Sequence, residues 1–391
     1  MKAAAEGPHG VWRQALAGLA AIFVGIGLAR FAYTPLIPAL IAGQWFVPAD
    51  AAYLGATNLT GYLGGALLAR AIAPGAATPP AIRAAMLAAT LSFLACAWPA
   101  SFLWFFAWRL ISGLAGGALM VLATSSILAR TPAHWRGRAS GVMFSGVGLD
   151  IIASGTLVPA LLRSGLTVVW LGLAAASALL TLAAWRGWPA EPRHGAGAAA
   201  SRGRPAGAGP LVLLLAIYSC DAIGFVPHSV FWIDYIARGL GRGLDAGGWY
   251  WVAFGLGAAG GPLLAGFLAD RAGLGPSLVL ALAVKAGAVA LPLVSENSLC
   301  LALSSLGVGA LTPGVPALIS GRVVELLPAE RQRQAWTWLT IVFGIAQAAD
   351  AYAMSFLFAR TGSYHLLFAI GGGSLTLASL LALASARLRR A

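Results

Sequence analysis

Long stretches without charge, separated by short polar breaks, dominate this chain. Apolar runs recur at 13–41, 51–73, 82–100, 102–129, 138–161 and 166–186. They recur again at 210–237, 247–269, 276–295, 298–322, 334–359 and 363–387. A helix of roughly 20 residues crosses the hydrocarbon core of a bilayer. The runs are continuous rather than alternating, which excludes the short strands of a membrane β-barrel. Backbone groups in hydrocarbon have no water to bond, so each run must close its hydrogen bonds within itself. The pattern therefore predicts an all-α integral membrane protein with twelve transmembrane helices. The tightest break, Trp98-Pro99-Ala100-Ser101, separates the third and fourth runs. The first run continues through Arg30 to Ile41, too long for a signal-peptide core, and reads as a retained helix.

One segment departs from the pattern. Residues 187–209, GWPAEPRHGAGAAASRGRPAGAG, are rich in Gly, Ala, Pro and Arg and read as a flexible cytoplasmic linker. The expected organisation is an N-terminal six-helix bundle over 1–186, the linker, and a C-terminal six-helix bundle over 210–391. Six and six suggest two pseudo-symmetric parallel repeats.

Composition agrees. The chain is 59% hydrophobic and 9% charged, against roughly 25% charged in soluble domains. A lipid bilayer must serve as its solvent. The net charge of +13 does not point to nucleic acid, because the arginines sit between apolar runs, where orientation signals belong. With the N-terminus inside, only Arg163, Arg238, Arg242 and Arg360 fall on the far side. Arg30, Arg109 and Lys285 fall within runs, and the rest of the 25 Lys and Arg lie on the cytoplasmic side. Both termini are expected in the cytoplasm, in a bacterial-type inner membrane. Trp12, Trp45, Trp98, Trp185, Trp188 and Trp249 lie near run ends and read as an interfacial belt. Cys96, Cys220 and Cys300 all lie in apolar runs, an odd number without metal-ligand spacing. Neither a disulfide framework nor a metal site is expected, and no cofactor.

Three strings resemble the major facilitator superfamily of transporters. GFLADRAGLG, residues 266–275, is similar to its cytoplasmic loop signature. RLISGLAGG, 109–117, resembles its fourth-helix Arg-x-x-x-Gly pattern. GIGLARFAYTPLIPAL, 25–40, resembles the start of the YbfB/YjiJ-like branch. The resemblance implies that helices one, four, seven and ten surround a central cavity and that the ninth is peripheral. The first half departs from the loop signature: GALLARAIAPG places Gly65 and Arg70 correctly but has Ala69 where the signature has Asp. Asp150 and Asp350 stand where the resemblance leads one to expect small residues.

Ionisable groups within a membrane are costly, and they usually face the bundle interior to pair or to serve transport. Arg30 lies beside Tyr33 and Thr34, with Pro35 and Pro38 breaking the helix. Such broken helices commonly line a polar cavity. Arg30 reads either as the holder of a substrate anion or as a structural partner of Asp221 or Asp150. Aligning Pro35 with Pro227 puts Arg30 opposite Ala222, next to Asp221. A carboxyl in an apolar site can load and release a proton near neutrality, so Asp221 is a candidate for both substrate binding and proton coupling. His228, seven residues on, reads as a relay or as a satisfied polar residue. Asp234 is expected near the outer end, in water. Asp150 and Asp350 read as proton carriers or as inter-helix hydrogen-bond partners, with Gln347 able to share the face of Asp350. Lys285 is expected to snorkel or to form a local ion pair. By resemblance, Arg109 is a cavity or proton-pathway residue.

The loop signature suggests a conformational latch. An ion pair from Asp270 to Arg136 or Arg138 would tie the halves on the inside, with Arg271 beside it and Arg70 left in the other half. Gly61-x-x-x-Gly65, Gly113-x-x-x-Gly117 and Gly257-x-x-x-Gly261 allow close helix approach.

No phosphate loop, HExxH or GxSxG is present, so an enzyme is not expected. A channel would need a Gly-rich re-entrant filter, and none appears. The expected function is secondary active transport of a small organic, anionic or polar solute by alternating access, proton-coupled, as a monomer. The alternatives are a multidrug or metabolite efflux pump and an uncoupled facilitator.

Overall fold

A computed structural model describes residues 8–71, 77–188 and 209–386. The linker expected at 187–209 therefore lies, apart from its ends, outside the described residues. Among the described residues every regular element is helical. Helix α1 runs through Pro8–Ile22, a π-helical Phe23–Phe31 and Tyr33–Ala42. Then come α2 (Pro48–Ala71), α3 (Thr78–Ala95), α4 (Phe102–Arg130), α5 (Ala133–Leu162) and α6 (Leu166–Ala184). Helix α7 is broken like α1, into Gly209–Val226, a π-helical Pro227–Phe231, Trp232–Asp234 and a π-helical Tyr235–Gly239. It is followed by α8 (Gly243–Ala272), α9 (Leu274–Val294), α10 (Ser298–Leu326), α11 (Ala329–Thr361) and α12 (Tyr364–Ala386).

Ten of these helices are long and apolar enough to cross a membrane. The two that fall short by composition are α2 and α3. Helix α2 carries Asp50, Thr57, Asn58 and Thr60, and α3 opens on Thr78-Pro79-Pro80 with Arg83 in its second turn. Thr57 and Asn58 are buried against protein rather than lipid, so the lower hydropathy of α2 reflects protein packing.

The helix ends follow local chemistry. The 98–101 break holds: α3 stops at Ala95, and the Ser101 side chain accepts from Trp104 N at 3.2 Å to open α4. Asn297 caps α10 in the same way through Cys300 N at 2.8 Å. Helix α11 closes on Gly362 at φ +64, a left-handed turn that suits glycine.

The residues divide into two compact units. One holds the described residues up to Trp45 and those from Thr57 to Trp188. The other holds Phe46–Ala56 and those from Gly209 on. In the first unit α1 packs on α4, α5 and α6, while α3 packs on α4 and α6. In the second, α8 packs on α10, α9 on α10 and α12, and α7 on α11 and α12.

Glycine sets the closest approaches. A Cβ on Gly61 would overlap Leu110 O and one on Gly65 would overlap Leu114 O. From the opposite side, Gly113 and Gly117 press on the carbonyls of Asn58 and Tyr62. The two Gly-x-x-x-Gly strings of α2 and α4 therefore face one another. Gly257 and Gly261 of α8 meet Leu306 O and Ala310 O of α10, and Gly309 answers against Phe254 O. Backbones in contact gain dispersion over their whole length, which is how helices associate where lipid removes the hydrophobic drive.

The tryptophan belt needs one correction. Trp98, Trp185 and Trp249 are exposed, but Trp188 is buried. It packs inward at the end of the first unit instead of facing the interface. All three cysteines are free.

Candidate functional site

In the first unit the polar groups gather around the π-helical turn of α1. There the hydrogen bonding widens, and Ala32 N reaches back five residues to Gly27 O at 3.1 Å. Pro35 and Pro38, which lack an N–H, follow at once. Arg109 of α4 is buried beside this turn. Its Nη1 donates to Ala29 O at 2.8 Å, and its guanidinium carbon lies 4.0 Å from the centre of the Tyr33 ring. A cation over an aromatic face is attracted by the ring quadrupole, more so when desolvated. Asn58 of α2 fixes the α4 backbone behind it, donating to Arg109 O at 3.2 Å and to Ser112 Oγ at 2.9 Å. Arg109 thus secures the break in α1.

Arg30 is on the same turn. Its guanidinium carbon lies 5.1 Å from the Phe31 ring centre and 5.9 Å from that of Tyr62. It is only partly buried, whereas Tyr33 and Thr34 are buried. Asp150 of α5 is fully buried, and neither carboxyl oxygen has a hydrogen-bond partner among the described residues. The expected Arg30–Asp150 pair is therefore not formed. Instead the Asp150 carboxyl lies against Gly27, where a Cβ would overlap its Cγ and come within 2.6 Å of Oδ1.

In the second unit Asp221 has a cation of its own. Lys285 Nζ of α9 bonds Asp221 Oδ1 at 2.6 Å, with both residues 1% exposed. Lys285 also lies 5.3 Å from the Phe225 ring centre. This settles Lys285 as a member of a local ion pair and excludes snorkelling. It also gives Asp221 a partner that repeat alignment did not suggest. His228, in the π-helical turn of α7, stacks on Trp232 at 4.3 Å. Its Nε2 lies 2.8 Å from Ser304 Oγ, and that hydroxyl spends its one proton on Ala288 O at 2.6 Å. Ser304 therefore accepts and His228 donates from Nε2, while its Nδ1 has no partner among the described residues. His228 is hydrogen-bonded to Ser304, not to Asp221.

Asp234 is corrected outright, being buried rather than solvated. Arg238 holds it from the next turn at 2.5 and 2.7 Å, and the Tyr364 hydroxyl of α12 donates to Asp234 Oδ2 at 2.5 Å. The neighbouring Tyr235 hydroxyl donates to Glu296 Oε1 at 3.3 Å. In α11 Asp350 is only partly buried, and its Oδ2 has no partner among the described residues. The side-chain nitrogen of Gln347 has none either. Counted from the prolines that cap the two helices, Asp350 lies one turn further along α11 than Asp150 does along α5.

At the loop signature Asp270 and Arg271 are exposed, with Arg271 4.0 Å from the Phe267 ring centre. The side chains of Arg70, Arg136 and Arg138 lie outside the described residues. Among the described residues no group of His, Cys, Asp and Glu is arranged to hold a metal ion.

Charges on and beside two broken membrane helices suit a transporter, and the comparisons agree. The family described as "Uncharacterised MFS-type transporter YbfB" matches residues 22–383. The chain belongs to this family. It is a multi-pass membrane transporter of the major facilitator type and lies among transporters rather than enzymes. The YbfB-type chain is also similar in fold to a D-xylose–proton symporter, with a TM-score of 0.75, 16% identity, and 95% of this chain and 96% of that one covered. A bacterial homologue of the human lysosomal transporter Spinster, in an inward-facing, unoccupied conformation, matches with a TM-score of 0.69 and 16% identity. That match covers 97% of this chain and 95% of the other. No curated protein matches the chain.

Sequence reasoning found Arg109, Asp150, Asp221 and Lys285 of this YbfB-type protein as buried charges but missed the burial of Asp234 and Arg322, and missed Asn58, Tyr62, Ser304 and Tyr364. The four-residue spacing of Asp234 and Arg238 was a usable signal. The other contacts are between distant helices and leave no local mark.

Proposed function

We propose that the protein is a secondary active transporter. It moves a small organic, anionic or polar solute by alternating access of two pseudo-symmetric six-helix bundles, and the movement is coupled to protons. The observation that carries this reading is Arg30: a partly buried guanidinium at the break of a membrane helix, flanked by the Phe31 and Tyr62 rings. A planar fork in that setting recognises a carboxylate by paired charge-assisted hydrogen bonds. Tyr33 and Thr34 follow on the same helix, and Arg109 secures its backbone. The fold likeness to a proton symporter supports coupling. An efflux pump or a facilitator is the alternative. Both termini face the cytoplasm of a bacterial-type inner membrane, as the arginine asymmetry directs.

The test is a thermal-shift screen of small carboxylates against the detergent-purified chain and Arg30→Ala. At a hundredfold excess over its Kd a ligand stabilises by about 2.7 kcal/mol. A carboxylate that raises the melting temperature of wild type but not of Arg30→Ala is the expected result. Equal shifts in both would remove the anion clamp.

The latch of Asp270 with Arg136 or Arg138, with Arg271 beside it and Arg70 left in the other half, belongs to the same proposal. Asp270→Asn is expected to shift the population inward. Unchanged labelling of single cysteines placed on the cytoplasmic side would refute it.

A further inference from the structure

The geometry points to Asp150 as the group that carries the coupling proton, and to the π-helical turn Phe23–Phe31 of α1 as the element that senses whether the proton is there. This inference rests on the proton-coupled reading above and selects one carboxyl from several.

The other buried carboxyls have partners. Asp221 is bound by Lys285 at 2.6 Å, and Asp234 by Arg238 and Tyr364. Asp350 is only partly buried. Asp150 alone combines full burial with two carboxyl oxygens that meet no polar group among the described residues. An ionised carboxylate without partner or water is the most costly state a side chain can hold in an apolar interior. In this conformation Asp150 therefore keeps its proton.

Four elements bound the site. Helix α5 carries no second titratable group between Ala139 and Leu162. Helix α6 carries none between Leu166 and Ala184. Helix α4 offers Arg109, whose guanidinium is turned to Ala29 O and Tyr33. Helix α1 offers Arg30 and Tyr33. Neither arginine hydrogen-bonds the carboxyl in this conformation.

The contact that matters is with Gly27. No side chain stands between the carboxyl and the backbone of the π-helical turn, because a Cβ there would occupy the same space. Any slide of α1 past α5 changes the surroundings of Asp150 directly. The turn is of the kind that can shift, since its hydrogen bonds already run to the fifth residue. It carries Arg30 three residues further on.

The step balances simply. When the turn moves and water reaches Asp150, the O–H bond breaks, the electron pair stays on the carboxylate, and the proton leaves to water. The carboxylate left behind competes with the solute anion for the Arg30 guanidinium. A protonated Asp150 leaves Arg30 to the solute, and an ionised one withdraws it. Proton and anion then move together.

The test uses the full chain in lipid nanodiscs and no solute. Infrared difference spectra are recorded as the pH is raised from mildly acidic to alkaline. Wild type should show the C=O band of a protonated carboxylic acid, which is lost as the pH is raised. Asp150→Asn should lack this band, and Asp350→Asn should keep it. Asparagine matches the neutral acid in shape, so the variant should fold. Gly27→Ala should move the midpoint at which the band is lost, while Gly141→Ala, where a Cβ meets open space, should not. A band that survives in Asp150→Asn overturns the assignment. An unmoved midpoint in Gly27→Ala overturns the sensing role. A titration that shifts when sodium replaces choline would make the site a cation site and overturn the proton. A correct Asp150 band in a chain that binds no carboxylate would overturn the anion reading alone.

Discussion

Lys285 changes how Asp221 must be read. By sequence, Asp221 is a free acid facing a cavity, with Arg30 its nearest cation through repeat alignment. In the structure it is one half of a buried ion pair at 2.6 Å. Breaking such a pair from one side leaves an uncompensated charge and costs about 3–5 kcal/mol. Replacing both halves by neutral groups costs much less. Lys285→Met is therefore expected to lower the melting temperature sharply, and Lys285→Met with Asp221→Asn to recover most of the loss. If the double variant melts no higher than the single one, the pair is not the source of the stability. His228 is a smaller case of the same kind. Its Nε2 is held by a serine on another helix, and its ring stacks on Trp232. The sequence located these groups at membrane depth, because charge in an apolar run is conspicuous. It did not pair them, because the angle at which each helix faces its neighbours is set by packing. Asp234 shows the cost of judging burial by distance to a helix end: Tyr364 covers it from another helix.

Helices were more legible than their partners. Continuous apolar runs fixed all twelve rods, and their ends shifted by only a few residues, since hydrocarbon leaves the backbone no alternative. The π-helical turns were not legible. Gly25, Gly27, Pro35 and Pro38 announce a break in α1 but not its kind, and α7 breaks at Pro227 with fewer glycines. The small-residue strings were read correctly as places of close approach, and in the structure both glycines of each string meet a facing backbone, unlike a glycine lying between two of them. Gly260 and Gly261 are adjacent in α8. A Cβ on Gly260 meets nothing within 4 Å, whereas one on Gly261 would overlap Ala310 O of α10. Alanine is a better helix former than glycine by about 1 kcal/mol. Gly260→Ala is therefore expected to leave melting unchanged or raise it. Gly261→Ala must push α8 from α10 and should lower it, as should Gly113→Ala between α2 and α4. Equal effects at 260 and 261 would show that propensity, not approach, governs these helices.

At the scale of the whole molecule the fold and family are settled while the solute is not, and the sign of coupling is what separates the remaining readings. A monovalent carboxylate that travels with one proton carries no net charge. An inward pH gradient, acid outside, should then drive its accumulation in proteoliposomes, and a membrane potential alone should not. A facilitator moving the anion without a proton responds oppositely: potential displaces its equilibrium and a pH gradient does not. A proton-exchanging efflux pump is driven by the gradient too, but toward the acid side. The measurement is uptake of labelled mono- and dicarboxylates under each gradient separately, with a protonophore as control. Accumulation from the acid side, abolished by the protonophore and by Arg30→Ala, is the expected outcome. Asp150→Asn should act differently. Its permanently neutral side chain leaves Arg30 to the solute, so exchange of labelled for unlabelled carboxylate should continue while uphill accumulation is lost. An Asp150→Asn protein that still accumulates solute uphill would place the coupling proton elsewhere, and Asp350, which also has a buried carboxyl oxygen without a partner among the described residues, would be the next group to replace.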